Sequence, residues 1–504
     1  MSLIKQNIVA NFGGKAWAAL VSLIAVPIYL SFLGTEAYGL IGIYASMTGV
    51  LTVLDLGLST VLSREMARLA GAENSAQSRR RITRALELAY WIVAIMIGVG
   101  IWGLVPFLAS RWVNAVALPV TTVETALVLA GIAIASQWPL ALYSGGMIGL
   151  ERQVQLNIAS AVCATVRAVG GILILGFVAR NVEAFFAWQA IIGGAQTILT
   201  AALVWGAIDG GFFRTRFEWE ALKRLLPSSL TLAGIATTSA VVTQIDKIVL
   251  VRFVSLDVVG LYSLVATVAG LLFQISGPVY AAFLPRLTRE AAQGNTASLA
   301  RSYHIGCQIV SVLVFPAAAV GGLFAGELLA LWTRNQEVAQ QGAGLLALLL
   351  AGNAASSLLH LPYALQVAGG SVRLVLLVNI ASAVVMVPLS LGLITFAGAK
   401  GAAWAWLILN LGYVFGGLWV YHRVTLSSEL FGWYMRDVLP ALLMSVLVAF
   451  SASLLMPADA GLVVTSLWIA FSALIAVMGS SLLLSELRGP TLGLAARFFS
   501  GVTK

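Results

Sequence analysis

Long apolar runs follow one another along almost the whole chain, with only short polar junctions between them. A helix needs about 20 consecutive apolar residues to cross a bilayer, and these runs reach or exceed that length. The pattern predicts an all-α polytopic membrane protein with about 14 transmembrane helices. The predicted helices lie near residues 8–33, 38–68, 85–110, 123–150, 154–179, 183–208, 225–253, 258–285, 303–332, 339–368, 372–397, 400–422, 438–456 and 461–485.

The composition supports this prediction. Of the 504 residues, 60% are hydrophobic and 10% are charged, and the mean hydropathy is +0.96. The outer helix faces of a soluble protein are polar, whereas helices in lipid are apolar on that side as well. Cys163 and Cys307 both lie in apolar runs, so the sequence indicates neither a disulfide framework nor a zinc cluster.

Basic residues collect at every second junction, which predicts the direction of the helices. One set of junctions holds most of the Lys and Arg residues, including the 79–81 cluster. The opposite set holds only Arg111, Arg180, Arg252, Arg334 and Lys400. The positive-inside rule then places both termini in the cytoplasm, in a multi-pass protein of the cytoplasmic (inner) membrane. The net charge of +9 is accordingly interpreted as contact with membrane lipids, with no nucleic-acid partner.

An internal repeat predicts the domain organisation. At an offset of 221 residues, the segment 32–40 aligns without gaps on 253–261. Each segment joins an odd-numbered predicted helix to the next one, so the two copies share one orientation. We expect two six-helix lobes, 1–208 and 225–422, related by a parallel repeat and joined by a cytoplasmic linker at 209–224. Two additional helices and a cytoplasmic tail make up 423–504.

Three basic residues lie inside predicted helices: Lys15, Arg167 and Lys247. Each costs about 2.5–3.5 kcal/mol on the membrane-insertion scale if it faces lipid. Arg167 lies about 20 Å along its helix, too deep to reach water easily, and Gly170 and Gly171 beside it leave room for a backbone or a ligand. We expect Arg167 to line a water-filled cavity, and a buried structural ion pair is the alternative. Lys15 and Lys247 can line the same cavity or extend toward a membrane surface.

Two carboxylates are further cavity candidates. Asp55, near the middle of the second predicted helix, is either a partner for a cavity base, a coupling-ion site, or a buried carboxylate bonded to a neighbour such as Thr52 or Ser59. Asp246 precedes Lys247 directly, and successive helical residues do not share a face, so we expect no direct pair between them.

Three polar residues complete the predicted cavity set: His360, Gln274 and Asn379. His360 can titrate in a proton-coupled cycle or make a hydrogen bond between helices. The candidate coupling ions are H⁺ and Na⁺. The sequence has no phosphate-binding loop of the Walker type and no His or carboxylate cluster with metal spacing, so we expect no cofactor, no metal site and no enzyme activity.

Several short motifs carry a family resemblance that runs from about residue 5 to 425. In the first half these are Phe32-Leu33-Gly34, Ala37-Tyr38-Gly39, Asp55-Leu56-Gly57-Leu58 and Arg64-Glu65. In the second half they are Asp246-Lys247-Ile248-Val249-Leu250, Gly260-Leu261-Tyr262, Pro278 and Pro285-Arg286-Leu287. In this order and spacing, the chain resembles polysaccharide transporters of the Wzx flippase type.

The resemblance implies membership of the multidrug/oligosaccharidyl-lipid/polysaccharide exporter superfamily and an alternating-access mechanism. It also implies an undecaprenyl-diphosphate-linked oligosaccharide as substrate, moved to the periplasmic leaflet for O-antigen, capsule or exopolysaccharide synthesis. A glycan polymerase and export machinery are the implied protein partners. The alternatives are a cation-coupled multidrug antiporter of the same superfamily and a membrane glycan polymerase or ligase, which short outer junctions disfavour.

Overall fold

The computed structural model describes residues 3–69, 75–208, 219–370, 372–457 and 461–489. Within these ranges all regular secondary structure is helical, which confirms the predicted fold class. The chain divides into two compact units, Met1–Leu264 and Val265–Lys504. Residues 209–218 of the predicted linker lie outside the described ranges, and the predicted lobes at 1–208 and 225–422 stay a prediction.

The first unit contains eight α-helices and the beginning of a ninth. They are α1 (Leu3–Leu51), α2 (Leu58–Arg68), α3 (Ser75–Phe107), α4 (Val120–Gln137), α5 (Leu140–Gly149), α6 (Gln153–Phe177), α7 (Val182–Ala207), α8 (Trp219–Phe253) and α9 (Leu256–Ala269). A 3-10 turn, Thr52–Asp55, follows α1, and a π-helical turn, Leu108–Trp112, follows α3. Helix α8 packs against α1, α2 and α3.

The second unit continues with ten further α-helices. They are α10 (Leu271–Ala292), α11 (Thr296–Leu323), α12 (Ala325–Thr333), α13 (Gln336–Leu358), α14 (His360–Ala368), α15 (Val372–Gly412), α16 (Leu418–Thr425), α17 (Leu430–Gly432), α18 (Leu439–Leu455) and α19 (Leu462–Leu483). Two π-helical segments, Tyr413–Gly417 and Trp433–Val438, join α15 to α16 and α17 to α18.

Helix α1 is two membrane spans that fold back on each other at Gly34. Gly34 has φ 78° and ψ 172°, which is not helical. The Tyr29 hydroxyl donates to the Ala168 carbonyl on α6, while Gln137 donates to the Tyr44 hydroxyl and also accepts from Arg167 on α6. A straight helix would hold residues 29 and 44 about 22 Å apart. The two halves of α1 therefore both reach the same part of α6, the first directly through Tyr29 and the second through Gln137 of α4.

Helix α15 reverses in the same way at Gly398, where φ is 55° and ψ is −131°. A Cβ on Gly401 would overlap the Leu393 carbonyl, although a straight helix would separate these residues by about 12 Å. Of the described residues, 12 helical stretches are long and apolar enough to cross a membrane, and two of these contain Gly34 and Gly398. When each of these two stretches is counted as two spans, the total agrees with the predicted number of about 14 spans.

The helix predicted over residues 38–68 is interrupted, so the prediction of one continuous helix is wrong here. The 3-10 turn ends at Asp55, and Leu56 (φ 50°) and Gly57 (φ 73°) then adopt left-handed backbone before α2 begins. Glycine adopts that conformation without a steric penalty, so Gly57 permits the break. The predicted spans 123–150, 258–285, 303–332 and 339–368 are likewise each divided into two helices.

Apolar side chains cover both the inside and the outside of the helices. Ile95, Val99 and Trp102 on α3 are more than half exposed, while Ala126, Leu127 and other residues of α4 are buried in the main core of the first unit. Exposed side chains this apolar are stable only in contact with lipid. The protein is therefore a multi-pass membrane protein.

Candidate functional site

Arg167 lies near the middle of α6, about 21 Å from Gln153 and about 15 Å from Phe177 along the helix axis. Its side chain points between α4 and α7. The Nη1 group donates to Oε1 of Gln137 at 2.9 Å, and the Nη2 group donates to Oε1 of Gln196 at 2.9 Å. Two amide oxygens on different helices thus hold the two ends of the guanidinium.

The orientation of Gln137 is fixed by its other partners. Its Nε2 donates to the Ala133 carbonyl at 3.1 Å and to the Tyr44 hydroxyl at 2.9 Å. Because a backbone carbonyl only accepts, the amide nitrogen must face Ala133, and the amide oxygen is left for Arg167. This chain of contacts connects the second half of α1, α4 and α6.

The charge of Arg167 is oriented but not neutralised by these contacts. Amide oxygens are neutral, and no carboxylate of the described residues lies within 4.0 Å of Arg167. The Nε group is also buried and has no hydrogen-bond partner within the described part of the chain. Arg167 as a whole is half-buried, and a cation without a counter-charge away from bulk water is unfavourable, so an anionic ligand would reduce that cost.

Two glycines next to Arg167 admit aromatic side chains. A Cβ on Gly170 would overlap the indole of Trp188, and one on Gly171 would lie 2.8 Å from the Tyr29 hydroxyl. The Trp188 indole nitrogen in turn donates to the Arg167 carbonyl at 2.9 Å. The close approach predicted at these glycines is therefore made by side chains that brace α6.

The other two basic residues lie apart from Arg167. Lys15 is exposed on the first half of α1. Lys247 is half-buried on α8, and its Nζ donates to Gln244 at 3.3 Å, where Gln244 packs on Gly49. Within α1, Gly49 and Tyr44 point to opposite sides, so Arg167 and Lys247 are separated by the returning half of this helix. No hydrogen bond within the described residues joins the three bases.

Asp55 is half-buried and is hydrogen bonded to two neighbouring side chains. Its carboxylate accepts from the Ser59 hydroxyl at 2.9 Å and from the Tyr90 hydroxyl on α3. Because it lies at the break between the 3-10 turn and α2, these bonds fasten an irregular backbone segment to α3. Thr52 instead donates to the Gly49 carbonyl at 2.6 Å.

Asp246 is buried, with 4% of its surface exposed. The Tyr262 hydroxyl on α9 donates to its Oδ2 at 2.7 Å, whereas Oδ1 has no partner within the described residues. The expectation that Asp246 does not pair with Lys247 agrees with these contacts. A buried carboxyl group with one oxygen that no described residue contacts by a hydrogen bond is a candidate for binding a proton or a small cation.

The remaining three candidates differ in their surroundings. His360 begins α14, and its ring lies 6.1 Å from that of Phe273 and 6.2 Å from that of Tyr280, measured between centroids. Its Nδ1 is buried without a partner among the described residues. Gln274 is exposed on α10, and Asn379 is half-buried on α15. Their roles in a cavity stay predictions.

Sequence reasoning missed the amides around Arg167 and the buried carboxylate of Glu87. Glu87 accepts from Arg84 at 2.7 Å, from the Tyr143 hydroxyl at 2.6 Å and from the Trp205 indole at 3.1 Å. Glutamines inside apolar runs, and an acid three residues after an arginine, are the signals that would have singled these residues out.

Two families match parts of the sequence. The family described as "Polysaccharide biosynthesis protein" matches residues 4–290, and the MatE family matches residues 233–391. A Shigella flexneri protein named "Putative O-antigen transporter" is 22% identical over 430 residues, which cover 84% of this chain and 99% of that protein.

Two solved structures have a similar fold. A lipid II flippase, MurJ, in an inward closed conformation has a TM-score of 0.70 and 10% identity, covering 98% of this chain and 99% of that one. An inward-facing multidrug resistance MATE transporter has a TM-score of 0.65 and 18% identity, covering 82% of this chain and 96% of that one.

The match over 4–290 spans more than half of this chain, and the MurJ structure shares the fold over 98% of the chain. The family resemblance predicted from the short motifs is confirmed. The chain belongs to the polysaccharide biosynthesis protein family and is a polysaccharide transporter of the multidrug/oligosaccharidyl-lipid/polysaccharide exporter superfamily.

Proposed function

We propose that this protein flips undecaprenyl-diphosphate-linked oligosaccharide units from the cytoplasmic to the periplasmic leaflet of the inner membrane by alternating access. The product would supply the synthesis of O-antigen, capsule or exopolysaccharide. The observation that carries the proposal is Arg167, a cation near the middle of α6 that no described carboxylate neutralises. A diphosphate supplies both the opposite charge and the oxygen acceptors that a guanidinium binds in its planar geometry.

Arg167 has N–H groups, not used in its present hydrogen bonds, that could donate to such a ligand. A guanidinium has five N–H groups, and the bonds to Gln137 and Gln196 use two of them. The buried Nε group is among the unused donors. Diphosphate oxygens could therefore accept from the unused N–H groups or replace the two amide oxygens, while Arg167 itself supplies the positive charge.

The proposed orientation of the protein in the membrane rests on the distribution of basic residues. The junctions rich in Lys and Arg would lie in the cytoplasm together with both termini. The flipped oligosaccharide would then reach the opposite leaflet, where a glycan polymerase and export machinery would use it.

Asp246 supports a coupled cycle with H⁺ or Na⁺. Its buried carboxyl has one partner, Tyr262, and one oxygen with no described partner. The equivalent position in the first repeat copy, 221 residues earlier, is Ala25, which is 2% exposed. Packing at this position thus does not require a carboxyl group, and an ion-binding role gives a reason for one.

A liposome assay tests the proposal. The purified protein would be reconstituted with a labelled undecaprenyl-diphosphate disaccharide, and an impermeant reagent would report the fraction exposed outside. We expect the protein to expose the inner pool, and Arg167→Ala to abolish this at equal incorporation. Equal movement of a disaccharide on neutral undecaprenol, which lacks the diphosphate, would contradict the assigned role of Arg167.

The second candidate is a cation-coupled multidrug antiporter, favoured by the MatE match over 233–391. Such a transporter needs acidic groups for a cationic drug. Asp55 is already bonded to Ser59 and Tyr90, which leaves Asp246 as the acid for this function. Drug susceptibility of a deletion strain distinguishes the two functions. Increased susceptibility with unchanged surface glycan would favour the antiporter.

A further inference from the structure

A polar cluster in the second unit lies outside the site described above, with Gln308 and Asp437 buried in it. We name it the His304 cluster, and it consists of His304, Gln308, Glu429, Asp437 and Ser485. His304 and Gln308 lie on α11, Glu429 directly precedes α17, Asp437 lies in the π-helical segment Trp433–Val438, and Ser485 follows α19. The cluster therefore joins α11 to both helices that follow the predicted repeat.

His304 contacts a carboxylate at each ring nitrogen. Its Nδ1 lies 2.5 Å from Oδ2 of Asp437, and its Nε2 lies 3.2 Å from Oε2 of Glu429. Asp437 is fully buried, and its second oxygen accepts from Nε2 of Gln308 at 2.9 Å. Two acidic side chains are thus held together by one imidazole.

The hydrogen-bond chemistry of these groups determines how many protons the ring must carry. An ionised carboxylate only accepts hydrogen bonds, and a neutral imidazole has a single N–H. Both contacts of His304 can be hydrogen bonds to ionised carboxylates only if both ring nitrogens are protonated. We propose that His304 is a proton-binding site, and that its bound proton fastens the segment Glu429–Val438 to α11.

A second histidine in the same region shows the opposite state. His422 Nδ1 lies 3.0 Å from the Leu418 carbonyl, which can only accept, so this nitrogen carries the proton. Its Nε2 then accepts from the Tyr303 hydroxyl at 3.1 Å. His422 is therefore a neutral ring fully satisfied by neutral partners, whereas His304 faces two acids.

The other charged and titratable groups near His304 lie on several elements. Arg301, Tyr303 and Cys307 lie on α11, Glu290 lies on α10, His422 on α16, Arg436 in the π-helical segment and Glu486 after α19. Glu290 accepts from Ser298 and Ser302 of α11, and Arg301 lies 3.5 Å from Glu486. Among these groups, His304 is the one that contacts both Asp437 and Glu429, so its proton is the one that can join the two acids.

Loss of the proton would affect both added helices. A neutral His304 can donate to only one of the two acids, and the other then faces a ring lone pair. Where that acid is Asp437, which is fully buried, the loss of a donor is costly. Gln308 links Asp437 to the end of α19, because its Nε2 also contacts Ser485 Oγ at 3.3 Å and its Oε1 accepts from the Glu486 amide at 3.0 Å. Separation of Asp437 from α11 would therefore also disturb the anchor of α19.

The chain has only three histidines, which makes a direct test practical. Full-length protein labelled with ¹⁵N at histidine, in lipid nanodiscs, would be titrated by NMR without substrate. At about pH 7 we expect one imidazolium signal that His304→Gln removes and His422→Gln leaves in place. Glu429→Gln, which can donate to a neutral ring, should weaken that signal at the same pH.

Hydrogen exchange tests the mechanical consequence on the same samples. Exchange of the segment 429–438, corrected for the intrinsic pH effect, should rise about 10-fold or more as His304 loses its proton, while α13 stays protected. A singly protonated His304 at about pH 7 would overturn the assignment. A doubly protonated His304 with pH-independent exchange would overturn the fastening role, and neither result depends on the transported substrate.

Discussion

Gly39 and Gly260 make the same contact in opposite directions. A Cβ on Gly39 would overlap the carbonyl oxygen of Leu256, and a Cβ on Gly260 would overlap that of Thr35. Residues 35 and 39 of α1 become 256 and 260 at the repeat offset of 221. The two copies of the repeat segment therefore meet in a reciprocal contact.

Only a residue without a side chain permits this approach of backbone to backbone. Gly42, one turn further along α1, similarly packs directly on Ser263, which occupies the equivalent position in the second copy. Small residues at this spacing allow membrane helices to approach closely. The register predicted from sequence alone thus agrees with the packing of the returning half of α1 on the first turns of α9.

We expect Gly39→Ala and Gly260→Ala to weaken this contact to a similar degree. Each new methyl group meets a carbonyl oxygen, and relief of such overpacking costs about 1–3 kcal/mol. Disulfide formation in Thr35→Cys/Asp257→Cys, whose native side chains are hydrogen bonded, measures the closed contact. The yield should fall in either alanine variant and fall further in the double variant.

Gly100→Ala is the matched control for these substitutions. Gly100 lies in α3 with nothing within 4 Å of a Cβ, so alanine there should leave the disulfide yield unchanged. An effect of Gly100→Ala equal to that of Gly39→Ala would contradict the steric explanation.

Arg167→Gln should abolish glycan export at normal protein levels, because the variant keeps polar contacts but loses the positive charge. Arg167→Lys should retain only part of the activity, since one ammonium does not reproduce the forked contact with Gln137 and Gln196. Complementation of a transporter-deficient strain, read as surface glycan, measures both variants. Arg111→Gln, an exposed arginine outside the site, is the control and should export normally. Full export by Arg167→Gln would exclude a charge-dependent role.

Gly34→Ala should destabilise the protein by about 1–3 kcal/mol, because φ 78° with ψ 172° is a region that essentially only glycine occupies. Thermal unfolding in detergent would show a lower midpoint. Gly13→Ala, in a helical part of α1 with open space around the new methyl group, should instead keep or slightly raise the midpoint. Equal stability of the Gly34 variant and the wild type would mean that the reversal of α1 tolerates a side chain.

Asp246→Asn should preserve folding but remove the dependence of transport on an imposed pH or Na⁺ gradient. Asparagine keeps an oxygen that accepts from Tyr262, yet it neither binds a proton at neutral pH nor carries charge. The liposome assay with and without each gradient makes this measurement. Tyr262→Phe, which removes the hydrogen bond but keeps the carboxyl group of Asp246, is measured in parallel. An unchanged gradient response in Asp246→Asn would assign coupling to another group.

Much of the fold is predictable because a chain inside a bilayer must pair its backbone N–H and C=O groups internally. A long apolar run is therefore expected to form a helix. The spans 154–179 and 183–208 agree with α6 and α7 to within two residues at each end. Breaks inside spans were harder to predict. Leu56 and Gly57 end a helical stretch within an apolar run, where hydropathy carries no signal of backbone conformation.

The candidate site was predictable only in part. Buried charge is expensive in lipid, so Arg167 and Asp246 stand out in the sequence. Their partners, among them Gln137, Gln196 and Tyr262, come from other helices and are common polar residues without a local motif. His304 and Asp437 are 133 residues apart, so no sequence window relates them.

The sequence by itself determined that the chain is a helical membrane protein with a repeated segment and charges at depth, because hydropathy and insertion cost are properties of each residue and its immediate neighbours. Only the tertiary structure decided which polar groups meet. It placed Arg167 between two amides, separated it from Lys247 by a folded-back helix, and set His304 between two acids. Such contacts depend on the rotation and packing of helices that are distant in sequence, and these are set by the whole bundle.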